Sequence, residues 1–191
     1  MIAGTLRDQG HAHGPVAPIL HGKPAQLPAA IKKVVETICP TLVAVPERAL
    51  GDGIVARTRT VRNIRSSLNE LGFYCPLHLL GTGNPLSIIA YAMAGADCFD
   101  GLEWCQTVVD HSTGKLCHYQ HWDLFRHQTL WGINGILPYN QSVLMHNLEF
   151  YRQFMDDLCK AMKGGDAKIY LKKYASEAES KMLMDVIEGG D

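Results

Sequence analysis

The strongest constraint in this sequence is an alternation. Residues 16–20, 42–45, 77–80 and 97–100 form short runs in which apolar residues dominate. Between them lie segments with helical spacing. Leu27, Ile31, Val34, Val35 and Ile38 mark the first, and Val61, Ile64, Leu68 and Leu71 the second, which Asp52 is placed to cap. The third opens on Asn84 as N-cap and Pro85 at the first helical position, and runs to about Ala94. Strands that alternate with helices pair in parallel, and helices cover the sheet. The expectation is an α/β fold.

After Asp100 the rhythm changes. Residues 107–109 and 115–119 read as a hairpin around Ser112-Thr113-Gly114. Asn140 is placed to cap a long helix to Lys163, with Leu144, Leu148, Tyr151, Met155, Leu158 and Met162 on one stripe. Gly164-Gly165 ends it. A last amphipathic helix starts at Asp166 and carries Ile169, Tyr174, Ala178 and Met182. Residues 1–15, rich in Gly and His, read as a flexible N-terminal segment, and 16–191 as one folded portion.

Composition narrows the class. A chain of 191 residues with 47% hydrophobic and 19% charged residues has the make-up of a packed globule of one domain. A formal net charge of −1 argues against a basic DNA-coating protein and against an acidic tail. The apolar runs are far shorter than the roughly 20 residues that span a bilayer, and no apolar signal region opens the chain. No two of the six cysteines form a C-x-x-C pair. Reduced thiols in a cytoplasmic protein are the expectation.

In parallel α/β folds, chemistry collects at the carboxyl ends of the strands. Four such ends are readable: His21-Gly22, Pro46-Glu47-Arg48, Gly81-Thr82-Gly83 and Asp100-Gly101. Asp100 directly follows its strand, so the sheet delivers a carboxylate to its rim, where it can act as nucleophile, base or metal ligand. On the residue alone, an aspartate that only caps a loop is the commoner case. Gly81-Thr82-Gly83-Asn84-Pro85 is a glycine turn into a helix N-terminus without the lysine of a P-loop. Arg57, Arg59, Arg62 and Arg65 lie in one helix as a candidate phosphate-facing stripe, against the commoner reading of a solvated face. A second basic cluster, Lys160, Lys163, Lys168, Lys172 and Lys173, carries the same alternatives. Cys117, His118, His121 and His127 are soft donors whose spacing matches no common zinc motif. Trp122 and Trp131 beside them favour a packed loop.

Two blocks carry a resemblance. His78-Leu79-Leu80-Gly81-Thr82-Gly83-Asn84-Pro85 followed by Gly95-Ala96-Asp97-Cys98-Phe99-Asp100 resembles the tRNA-guanine transglycosylase family. So does the helix His146-Asn147-Leu148-Glu149-Phe150-Tyr151. Pro18-Ile19-Leu20-His21-Gly22 and Val43-Ala44-Val45-Pro46 match two of the family's strands more loosely. The likeness extends from about Val16 to Met162.

That resemblance implies a (β/α)₈ barrel that exchanges guanine for a 7-deazaguanine in a nucleic acid. tRNA is the expected polymer and DNA the alternative. It implies Asp100 as the nucleophile. It implies a substrate site made by His21, Gly22, Val45, Pro46, Glu47, Gly81 and Gly83; the helix stripe of Arg57, Arg59, Arg62 and Arg65, not the resemblance, supplies the expected nucleic-acid contacts. The chain is short against a barrel of about 250 residues, and corresponds to roughly the last four βα units plus C-terminal helices. A second active-site acid falls outside it; Glu47, Asp52 and Glu103 are the candidates to stand in. His21 occupies the place of the family's base-reading glutamine. The family's zinc cysteines are absent and His146 alone remains, so no metal or cofactor is expected. The alternative to an enzyme is a non-catalytic or half-barrel subunit that needs a partner chain or a second copy, or a truncated remnant.

Overall fold

The computed structural model describes residues 15–190. Apart from Pro15, the segment read as a flexible N-terminus lies outside the described residues. The protein is α/β and divides into two compact units. Residues 15–82, 90–100 and 181–190 form the first. Residues 83–89 and 101–180 form the second.

The first unit holds α1 (Leu27–Ile38), β1 (Val43–Pro46), α2 (Gly53–Asn69), β2 (Leu77–Leu80) and β3 (Cys98–Phe99). The strands run parallel in the order β1-β2-β3. Val43 faces Leu77, and His78 faces Cys98. All four residues of β1 are buried, as expected of a strand covered on both faces. α1 and α2 pack against each other, and Leu27, Ile31, Val35, Val61, Ile64 and Leu68 fill the core. The helical spacing and the two inner strands thus behave as expected.

The first expected strand does not form. Residues 16–20 contribute only a parallel bridge from Ile19 to Ala44. Leu20 N–H donates to Ala44 O, and Ala44 N–H donates to Pro18 O, both at 2.9 Å. Pro15 and Pro18 have no N–H, so the ladder cannot extend. Asp52 stands at the N-cap position of α2 but makes no side-chain cap bond.

A clamp centred on the buried Arg65 holds this unit together. Arg65, on α2, donates to the carbonyls of Gly95 and Cys75 at 2.8 and 3.1 Å, and pairs with Asp97 at 2.5 Å. Asp97 also accepts from Leu77 N–H and from the Tyr74 hydroxyl. Gly95 has φ +107°, and a Cβ there would strike the Arg65 side chain, so this position requires glycine.

Helix α3 (Pro85–Met93) runs from the second unit into the first. Asn84 Oδ1 accepts from Ser87 N–H at 3.3 Å, the cap expected from the sequence. The second unit then carries α4 (Glu103–Gln106), β4 (Thr107–Val109), β5 (Leu116–His118), α5 (Trp122–Phe125), α6 (Leu130–Ile133), α7 (Tyr139–Gly164) and α8 (Ala167–Tyr174). β4 and β5 form the expected antiparallel hairpin. Val108, Trp122 and Val143 centre one core; Phe150, Phe154, Leu158 and Leu171 are buried along α7 and α8. Helix α7 begins at Tyr139 with Pro138 at its cap, so Asn140 lies inside the helix rather than capping it.

The last helix is two. α8 stops before an extended Ala175, and α9 (Glu177–Ile187) starts afresh. Ser176-Glu177-Ala178-Glu179 is a capping box. Ser176 N–H donates to the Glu179 carboxylate at 2.7 Å, and Glu179 N–H donates to Ser176 Oγ at 3.3 Å. That S-x-x-E signal is legible in the sequence and outweighs the continuous stripe.

Candidate active site

Parallel pairing brings the carboxyl ends of β1, β2 and β3 to one rim of the first unit. Asp100 emerges there with its side chain 57% exposed. Gly81 N–H donates to its Oδ1 at 2.7 Å, and Thr82 N–H donates to its backbone carbonyl at 2.5 Å. Gly81 has φ +80°, a conformation other residues rarely hold, and it is this turn that aims the N–H at the carboxylate. His78 Nε2 stands 3.8 Å from Oδ2. The Asp100 carboxylate is therefore oriented by one backbone donor and flanked by an imidazole, while Oδ2 stays open for chemistry.

On the same rim a cleft of about 630 Å³ is lined by His21, Pro46, Glu47, Arg48, Arg57 and Gly81, with Ile19 and Leu80 as its apolar wall. Asp100 adjoins it through the Gly81 hydrogen bond. Glu47 sits on a short 3₁₀ turn directly after β1, with its side chain 17% exposed. Its Oε1 accepts from Arg57 at 2.9 Å and from the Tyr91 hydroxyl at 3.0 Å, and Arg57 Nε donates to Gly51 O at 2.8 Å. Burial opposes the Arg57 charge, yet the hydrogen bond and charge of Glu47 prevail and hold its pKa above the ordinary arginine value. Glu47 Oε2 has no partner among the described residues.

Of the expected substrate residues, His21, Pro46, Glu47 and Gly81 meet at this cleft. Val45 is fully buried in β1, so its side chain serves the core. Gly22 follows His21 beside Leu27. Gly83 belongs to the second unit, where its carbonyl accepts from the Tyr151 hydroxyl at 2.6 Å. A Cβ on Gly83 would collide with the Glu103 carboxylate, whose Oε2 is buried without a hydrogen-bond partner among the described residues. Of the three acids considered, Glu47 alone lines the cleft; Asp52 is exposed at the start of α2.

Three of the four arginines of the expected stripe, Arg57, Arg62 and Arg65, are hydrogen-bonded within the unit. Arg65 is buried and all three of its donor groups meet protein acceptors. Arg62 donates to Val186 O at 2.7 Å, and Arg57 to Glu47 and Gly51. Helix α2 turns these guanidinium groups toward the unit's own carbonyls and carboxylates, so they do not form one phosphate-facing row. Arg48 is the cleft arginine that sequence reasoning passed over as a contact residue. Its signal was the strand-end position next to Glu47.

His146, the residue left at the resembled family's zinc position, is tied into the fold. It is fully buried in the second unit. Its Nε2–H donates to Val109 O at 2.7 Å, and the Thr129 hydroxyl donates to its Nδ1 at 3.2 Å, so both ring nitrogens are used. Burial lowers its pKa to about 4. Asn147 beside it accepts from Val109 N–H and donates to the carbonyls of Trp104 and Thr107. The pair staples the hairpin to α7. Among the described residues no group of three His, Cys, Asp or Glu side chains is arranged to hold a metal, and this includes the cluster near His118. The six cysteines are free thiols. Among the described residues no helix is long and apolar enough to cross a membrane.

No protein-family model matches the chain, and no curated protein sequence matches it.

Proposed function

We propose that the protein is a nucleic-acid guanine transglycosylase and that its parallel β-α-β-α-β run is part of a (β/α)₈-type barrel. The observation that carries this reading is Asp100: a half-exposed carboxylate at the end of a parallel strand, oriented by the Gly81 N–H beside an open cleft. The resemblance of residues 78–85 and 95–100 to the transglycosylase blocks supports the same role.

In this reaction an Asp100 oxygen attacks the sugar C1′, and the C1′–N9 bond to guanine breaks with its electron pair leaving on the base. The transition state is oxocarbenium-like, and a carboxylate close to the ring stabilises it before the ester forms. The incoming 7-deazaguanine then displaces Asp100, so two inversions give net retention. One proton is given to the departing base and one is taken from the incoming base. His21 and Glu47 are the cleft groups suited to that exchange. The Arg57 and Tyr91 bonds to Glu47 hold its carboxylate in place.

Labelled guanine offered with bulk tRNA and with genomic DNA tests the proposal. Label entering either polymer supports it and names the substrate, with tRNA expected. A folded sample that labels neither overturns it for this chain acting alone. A second reading, a subunit completed by a partner chain or a second copy, draws on the sheet. Among the described residues it has three strands and one bridge, and parallel sheets are normally far better covered. Sedimentation as a well-behaved monomer would count against that reading.

A further inference from the structure

We infer that Arg48 is the phosphate-binding residue of the cleft, taking the phosphate attached to the nucleoside whose base is exchanged. This rests on the nucleotide reading of the cleft given above. Elimination within the first unit carries it. Arg57, Arg62 and Arg65 are each committed to the unit's own acceptors. Arg59 lies on α2 and does not line the cleft. Arg48 does line it, is exposed, and makes no ion pair or hydrogen bond among the described residues. The neighbouring carboxylate, Glu47, makes its ion pair with Arg57 and accepts from Tyr91, and it forms no ion pair with Arg48 among the described residues.

The backbone explains the pairing of opposite roles on adjacent residues. Glu47 and Arg48 share a single 3₁₀ turn at the end of β1, closed by Leu50 N–H donating to Glu47 O at 3.0 Å. Leu50 is fully buried, which anchors the turn. On this turn Glu47 is clamped, and the guanidinium of Arg48, unpaired among the described residues, is left to the cleft. A planar guanidinium offers paired donors to phosphate oxygens.

The probes are GMP and guanosine, which differ only in the phosphate. The folded protein should bind GMP at least about tenfold tighter, the worth of a charge-assisted hydrogen bond. Arg48→Ala should bring that ratio close to one, Arg48→Lys should keep part of it, and Arg59→Ala should leave it unchanged. With polymer substrate, Arg48→Ala should raise KM and spare kcat, since phosphate binding is the same in ground and transition states. A wild-type ratio near one, or a ratio that survives Arg48→Ala, overturns the inference. Guanine labelling that depends on Asp100 but not on Arg48 overturns it and leaves the transglycosylase reading standing. An Arg48-dependent preference for GMP without any labelling does the reverse.

Discussion

Asp100 in the first unit and Asp110 in the second are the same residue type at the end of a strand, used in opposite ways. Asp110 accepts from Ser112 and Thr113 of the hairpin turn and from Gln128 of a later 3₁₀ turn. Burial works against its charge, but these bonds prevail and hold its pKa at about 2. Among the described residues the Asp100 carboxylate has a single backbone donor on one oxygen, and its side chain is more than half exposed. The histidines repeat the contrast. His146 is buried with both nitrogens engaged, whereas His21 is exposed on a cleft wall. A polar side chain whose hydrogen-bonding capacity is exhausted by the protein serves the fold. One that is held but left incomplete is available to a ligand.

The sharpest way to break this contrast is Asp100→Asn. It should lower kcat by at least about 10³-fold, as loss of a nucleophile does, and leave the melting temperature nearly unchanged. Gel-shift trapping of the covalent nucleic-acid adduct checks it, and an adduct of equal yield in the variant would refute the role. Arg65→Ala should act in the opposite manner and destabilise by about 2 kcal/mol, because it removes a buried side chain that donates to two carbonyls and to the part-exposed Asp97 carboxylate. Urea unfolding measures it; a shift below about 0.5 kcal/mol would show that the clamp is not structural.

Acid should strike the second unit through His146. Unfolded, this imidazole has a pKa of 6.5; folded, it lies at about 4. Between those values the unfolded chain binds a proton that the folded chain does not. Stability is therefore full above pH 6.5, falls as pH drops toward 4, and levels off below. The loss amounts to about 3 kcal/mol at most. A His146→Gln variant with the same pH slope as wild type would assign the loss to other groups. The smallest effect concerns α1, which ends on Cys39 at φ +43°, a left-handed cap without glycine. Cys39→Gly should stabilise by about 0.5 kcal/mol on thermal unfolding, provided relief of strain exceeds the added chain entropy.

Much of the scaffold was legible. The spacing of Leu27, Ile31, Val34 and Ile38 and the apolar runs at β1 and β2 are local patterns, and they settle helix, strand and parallel order. What misled was also local. Residues 16–20 look like a strand, but two prolines withhold the donors. The stripe through Tyr174 and Met182 looks continuous, but Ser176 and Glu179 cap a new helix. The arginines of α2 looked like one charged face, and no periodicity reveals that Arg65 reaches Gly95 and Asp97, some 30 residues away in sequence.

By itself the sequence determined the α/β class, the hairpin, the long helix and the placing of Asp100 at a strand end, because these depend on residue type and near-neighbour spacing. Only the tertiary structure decided which polar groups are spent. The Glu47–Arg57–Tyr91 bonds, the satisfied His146 and an Arg48 unpaired among the described residues all depend on hydrogen bonds, made or absent, between elements far apart in the chain. A donor's partner is set by where the fold carries it rather than by the residues beside it.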